Sequence, residues 1–157
     1  RTSRVLVVCE DLANPDNVGA VFRNTAALVG PGAGVLLSPR CCDPLYRKAI
    51  RVSMGHALRV PFATLEPWPE GLDGLREAGF EVVAMTPGEG AVEIDELAAK
   101  ARGRRVAVLV GTEGPGLTDG SMARATARVK IPMAVGVDSL NVGVALGIAL
   151  HRLAVPE

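Results

Sequence analysis

The sequence predicts an α/β fold, a mostly parallel sheet with helices on both faces, and three observations carry that prediction. Compact apolar runs alternate with helical patterns along the chain, the order from which parallel sheets with crossover helices are built. The runs are barely interrupted by polar residues, as strands covered on both faces must be. And 157 residues with 48 % hydrophobic but only 3 % aromatic content suffice for one domain with a substantial core of Val, Ala and Leu.

"RVLVVCE" (4–10) is a β-branched apolar run and predicts a buried strand. "DLANPDN" follows as a loop. Val18, Val21, Phe22, Thr25 and Leu28 then recur at helical spacing until Gly30 and Pro31 end the helix. "AGVLLS" (33–38) predicts a second strand. "DPLYRKAIRVSMG" predicts a helix opened by Asp43 before Pro44 and closed at Gly55. "LRVPF" predicts a short strand leading into the acidic segment "LEPWPEGLDGLREAG", expected as a surface helix. "FEVVAMT" (80–86), "RRVAVLVG" (104–111) and "ARVKIPM" (127–133) predict three further strands. The last stretch, "IPMAVGVDSLNVGVALGIALH" (131–151), is apolar except for Asp138, Ser139 and Asn141. Ser and Asn are poor in helix interiors but good at helix starts, so a cap near Ser139 and a buried helix from Val142 onward are expected, the capped element spanning 139–153.

Charge sorts along the chain. The net charge is zero, which argues against a uniformly basic nucleic-acid binder. Residues 1–60 hold eight Lys/Arg against four Asp/Glu, residues 61–100 two against nine, and residues 101–157 seven against four. An anionic partner should therefore meet the two ends, and the acidic middle reads as a solvated face. Three cysteines, two of them adjacent (Cys41, Cys42), offer neither a disulfide framework nor metal-ligand spacing, so no metal and a reducing, cytoplasmic setting are expected. Pro132, Asp138 and Asn141 break the best candidate for a membrane span. There is no signal peptide, and the start at Arg1 without Met suggests a fragment of a longer protein.

In an open parallel sheet, ligands bind where strands end and helices begin. Three such junctions carry polar or glycine-rich residues. "NPDNVGAVFRN" puts Asn14, Asn17 and Gly19 at a helix start with Arg23 further along; Arg23 there either snorkels to the rim or binds an anion. "VGTEGPGLTDG" (110–120) follows the most hydrophobic strand, and its glycines let backbone approach a ligand while Glu113 supplies a carboxylate. It matches neither the P-loop nor the Gly-x-Gly-x-x-Gly fingerprint. The third junction is Ser139-Leu140-Asn141.

Taken together and in this order, Asn17-x-Gly19-x-x-x-Arg23, "LVGTEGPGL" and the 131–151 stretch resemble the SpoU family of RNA ribose 2′-O-methyltransferases, of the SPOUT superfamily. "RKAIRVSMGHALRVPF" (47–62) is similar to the segment between that family's first two motifs. The resemblance implies a sheet whose C-terminal part is tied in a deep trefoil knot, against the usual absence of knots. It implies S-adenosylmethionine bound in the knot, lined by Gly111, Ile131 and Leu140, with Leu109, Val110, Pro132 and Met133 adjacent and Thr86 a further contact. It also implies that residues 1–157 are a catalytic domain lacking an N-terminal RNA-binding domain. The substrate would be tRNA or large-subunit ribosomal RNA. The partner would be a second copy, packed through the C-terminal helix and the motif-one helix.

By the same resemblance Arg23 holds the central catalytic place. A guanidinium scarcely deprotonates, so Arg23 is expected to grip the RNA phosphate and stabilise the forming alkoxide while a phosphate oxygen or water takes the proton. Ser139 and Asn141 would position the nucleotide, and Glu113 and Asn17 would orient Arg23 and the loops. Two other readings compete. A catalytically silent RNA-binding or S-adenosylmethionine-sensing domain is opposed by the presence of Arg23, Glu113, Ser139 and Asn141. A doubly wound nucleotide-binding reductase is opposed by the missing phosphate fingerprint. The apolar C-terminal helix also carries Gly143 and Gly147, four residues apart, which would let another helix approach it closely.

Overall fold

The structure, a computed structural model, describes residues 5–154. The chain runs through β1 (Val5–Cys9), α1 (Pro15–Leu28), β2 (Ala33–Leu37), α2 (Arg47–Val52), a 3-10 turn (His56–Leu58), β3 (Phe62–Thr64) and α3 (Gly71–Glu77). It continues through β4 (Phe80–Met85), β5 (Val92–Glu93), α4 (Ile94–Ala101), β6 (Arg105–Val110), α5 (Asp119–Ala123), β7 (Ala127–Lys130) and α6 (Val142–Leu153). The strands form one sheet in the order β3-β2-β1-β6-β4-β7-β5, and every pairing is parallel. The predicted class is therefore the observed one. Arg4, the head of the first predicted strand, lies outside the described residues.

Alternation along each strand divides the core in two. Val5, Val7 and Cys9 of β1 and Val106, Val108 and Val110 of β6 face one cluster with Val21 and Phe22 of α1, Leu97 of α4 and Leu146 of α6. Val8, Ala107 and Leu109 face the other, with Leu72 of α3 and Leu117. Period-two alternation sends successive side chains to opposite faces, so continuous apolar runs are what two covered faces require. β1 sits between β2 and β6, with Val7 level with Val35 on one side and Val108 on the other. Each such buried valine contributes about 1.5–3 kcal/mol.

Several boundaries differ from expectation for local reasons. Asp43 does not cap a helix: its carboxylate accepts from the Leu45 N–H, an Asx-type turn, and α2 starts at Arg47. The acidic segment is helical only over Gly71–Glu77. Leu65–Pro69 stays outside the helix, bending at Pro67 and turning over Trp68 and Pro69, and packs Leu65 and Trp68 onto the second core; its two prolines oppose a longer helix. The C-terminal helix opens at Val142, with Asn141 rather than Ser139 as its cap. Pro132 and residues 134–140 are exposed, with a turn from Val137 N–H to the Ala134 carbonyl, so the apolar 131–151 stretch is not buried throughout. α4, β5 and α5 were not anticipated. No described helix is long and apolar enough to cross a membrane.

Helix packing also corrects the role of the glycines. At Gly143 an added Cβ would lie 2.8 Å from the Ala20 Cβ, and at Gly147 the nearest atoms belong to Asn24. Asn24 also donates to the Gly143 carbonyl at 2.7 Å. The helix that approaches the glycine stripe of α6 is thus α1 of the same chain. On the other flank of α1, a Cβ at Gly19 would lie 2.7 Å from Val52, so α2 packs there equally closely. α1 is held between the two.

Candidate active site

Because all seven strands run the same way, their C-terminal ends share one edge. The segments leaving β4, β6 and β7 converge there on the start of α6 and enclose a cleft of about 380 Å³. Met85, Ile131, Met133, Leu140 and Ala145 supply apolar wall; Gly111, Thr112 and Gly116 supply backbone; Glu113, Lys130 and Asp138 supply charge of both signs. Thr86, Val110, Ser139 and Asn141 complete the predicted residues that line it.

Asn141 ties the three motif segments together. Its side-chain amide donates to Asn17 Oδ1 at 3.1 Å and to Glu113 Oε1 at 2.8 Å. Its Oδ1 accepts from the backbone N–H groups of Gly143 and Val144, capping α6. Both donor hydrogens and both lone pairs are then used, and the opposite amide orientation would set oxygen against the Glu113 carboxylate. Glu113 and Asn17 therefore orient Asn141. The expectation that they orient Arg23 does not hold in this chain.

The glycine-rich loop is built by necessity. Gly114 and Gly116 have φ of +87° and +67°, a left-handed region costly for other residues. A turn from Gly116 N–H to the Thr112 carbonyl folds the loop back on itself. An added Cβ on Gly111 would lie 2.7 Å from Gly116 C and Leu117 N. Gly111 is thus required by the returning loop, and its missing side chain points there rather than into the cleft.

Other predicted residues fall elsewhere. Leu109 is fully buried in the second core cluster, since alternation turns it away from the cleft that Val110 lines. Pro132 is exposed and lies off the cleft wall. Arg23 is exposed on α1 and forms no ion pair among the described residues; six residues from Asn17, it sits about 120° around the helix from it. It does not line the cleft of its own chain.

One residue at this edge was missed. Glu10, 1 % exposed, accepts at Oε1 from Thr118 N–H (2.7 Å) and at Oε2 from Trp68 Nε1 (2.6 Å), Thr118 Oγ1 (3.0 Å) and Ser121 Oγ. It anchors the far end of the glycine-rich loop to β1. The signal was a carboxylate closing an apolar strand, a place where a charge must be satisfied. Glu10→Gln would turn an amide N–H₂ toward donors and is expected to destabilise the fold by about 2–3 kcal/mol. A urea midpoint equal to wild type would contradict that.

Asn141→Asp separates cap from bridge. Asp still caps a helix, but it cannot donate, and it would set a second carboxylate beside Glu113. Melting temperature is expected to stay within a few degrees while turnover at the site falls about 10-fold or more, the scale of about 1.4 kcal/mol of lost positioning. Activity at the wild-type level would mean that the bridge is idle.

The profile of the SpoU rRNA Methylase family matches residues 4–151. The chain belongs to the SpoU family. A Mycobacterium bovis protein described as an uncharacterized tRNA/rRNA methyltransferase is 45 % identical over 150 residues, covering 96 % of this chain and 51 % of its own. Among solved structures, an AdoMet-bound rRNA methyltransferase from Sinorhizobium meliloti superposes with a TM-score of 0.84 at 29 % identity, covering 98 % of this chain and 56 % of that one. An RNA 2′-O ribose methyltransferase superposes at 0.81 with 32 % identity, covering 98 % and 57 %. The SpoU chain described here spans about half the length of the curated relatives it matches.

Proposed function

We propose that this SpoU chain transfers the methyl group of S-adenosylmethionine to a ribose 2′-hydroxyl of tRNA or ribosomal RNA. The observation that carries the reading is the Asn141 bridge, which joins all three motif segments at the mouth of one cleft. The cleft fits the cofactor chemically. Its volume lies in the range of small-molecule sites, its apolar walls suit an adenine ring, and lining charges of both signs, Lys130 with Glu113 and Asp138, suit a zwitterion with an extra cationic centre. Gly111, Thr112, Ile131, Met133 and Leu140 would hold it. Bound there, it supplies an electrophilic sulfonium methyl group.

The protein's own share is orientation and charge. Ser139, at the mouth, positions the ribose, and Asn141, its amide already engaged, holds the three motif segments in place around it. The hydroxyl loses its proton to a phosphate oxygen or water, while Arg23, still protonated, holds the RNA phosphate and offsets the developing negative charge. Isothermal calorimetry with S-adenosylmethionine tests the reading: a saturable one-site isotherm supports it, and no heat of binding defeats it. The trefoil threading of residues 105–153 belongs to the same proposal.

A homodimer completes it. Arg23 stands outside its own chain's cleft, Val144 of α6 is 53 % exposed, and Leu140, Val137 and Val135 in the segment leading into α6 are exposed as well. An apolar face of that kind is usually covered. A second copy docking on α6 and α1 would cover it and bring Arg23 to the partner's cleft. Light scattering at low micromolar concentration is expected to give twice the 16.3 kDa chain mass; a stable monomer would remove the dimer.

A further inference from the structure

The face of α2 is not used by anything described so far. Arg47, Lys48 and Arg51 point to one side of this helix and are exposed, while Ala49 is buried beneath them. Among the described residues, Arg47 and Arg51 form no ion pair. Tyr46, the only tyrosine of the chain, is 57 % exposed at the helix start. Two unpaired guanidinium groups beside an unburied aromatic ring are a combination that single-stranded RNA satisfies: phosphates for the cations, a base face for the ring.

This face is continuous with the cleft. Lys48 pairs with Asp16 at 3.5 Å, and Asp16 adjoins Asn17, whose side chain meets Asn141 at the cleft mouth. Asp16 near Lys48 and Gly19 against Val52 show that α1 and α2 lie side by side and run the same way. Arg23, one turn beyond Gly19, lies on the α2 flank of α1. Arg23 on α1 and Arg47 and Arg51 on α2 thus stand on adjoining helices next to the cleft mouth, with Lys48 and Asp16 paired between them. A second copy is a poor occupant, since a two-fold contact would set Arg47 and Arg51 against their own counterparts.

We propose that the exposed face of α2, with Arg47 and Arg51 on phosphates and Tyr46 stacked on an unpaired base, is the track for substrate RNA flanking the methylated nucleotide. The proposal rests on the RNA methyltransferase reading. Fluorescence anisotropy with a labelled single-stranded RNA of mixed sequence, titrated across salt concentrations, tests it. The double variant Arg47→Ala/Arg51→Ala is expected to lose about 10-fold or more in affinity. Its log–log salt slope should become shallower by about 1.4, the release from two single-strand phosphates. Arg47→Lys/Arg51→Lys should keep the slope. Tyr46→Ala should weaken binding with the slope unchanged, and Tyr46→Phe should bind as wild type. Wild-type RNA affinity and slope in the double alanine variant, or a change in its oligomeric mass instead, would overturn the proposal. Calorimetric affinity for S-adenosylmethionine should be the same in all variants. Absence of that binding in wild type would count against the parent reading, not against this face, because the RNA titration needs no cofactor.

Discussion

Gly111→Val is expected to abolish S-adenosylmethionine binding while Arg23→Ala binds it as wild type. A side chain at Gly111 would strike the backbone of Gly116 and Leu117, which cannot rotate aside as a side-chain tip can. Relief requires moving the 111–117 loop, and that loop carries Thr112, Glu113 and Gly116 into the cleft. Overpacking of about 3 kcal/mol corresponds to a loss of at least about a hundredfold in affinity. The loop lies at the sheet edge, so circular dichroism should show the strands intact. Arg23, exposed and off the cleft, should leave the isotherm unchanged. Equal binding by Gly111→Val and wild type would mean that the ligand sits elsewhere.

Arg23→Lys is expected to lower methylation by at least about 100-fold, the scale of losing one preorganised charge-stabilising donor. Lysine keeps the charge but not the planar fork that meets a phosphate through two parallel hydrogen bonds. A surface arginine that merely snorkels would tolerate the change, so near-wild-type turnover would return Arg23 to that role. Mixing variants tests the geometry as well. If Arg23 serves the partner's cleft, dimers of one Arg23→Ala chain and one Gly111→Val chain have one complete site. A random mixture should then recover roughly a quarter of wild-type activity, as expected for a two-fold assembly. If Arg23 serves its own cleft, the mixture stays inactive.

Much of this was legible in the sequence because the physics involved is local. "VLVVC" and "RVAVLV" are strands on both faces of which something must pack, and continuous apolar runs say so. Asn14, with Pro15 at the first helical position and Asp16 in the first turn, marks the start of α1. What was not legible depends on partners distant in the chain. Asn141 is a cap by its local chemistry, yet its bridging amide needs Asn17 and Glu113, 124 and 28 residues away. Gly143 reads as a seat for some helix; only packing shows that Ala20 of α1 occupies it. Leu109 and Val110 are adjacent and equally apolar, and only the strand's phase tells which one meets the cleft. Glu10 reads as a strand end until Trp68, Thr118 and Ser121 are brought to it.

Arg23 exposes the limit most clearly. Motif position gave it a role at the site, and the chain alone leaves it outside the cleft, on a helix flank between α6 and the cationic face of α2. The two fit together if the complete site belongs to two chains.

The most direct measurement is the fate of the transferred methyl group. The protein is incubated with S-adenosylmethionine carrying an isotopically labelled methyl and with bulk tRNA and ribosomal RNA from a strain lacking its gene. The RNA is then digested to nucleosides and analysed by mass spectrometry. The label is expected in the ribose fragment of a 2′-O-methylnucleoside, lost when Asn141→Asp or Arg23→Lys replaces wild type. Label in a base fragment, or cofactor binding with no label in either RNA, would contradict it.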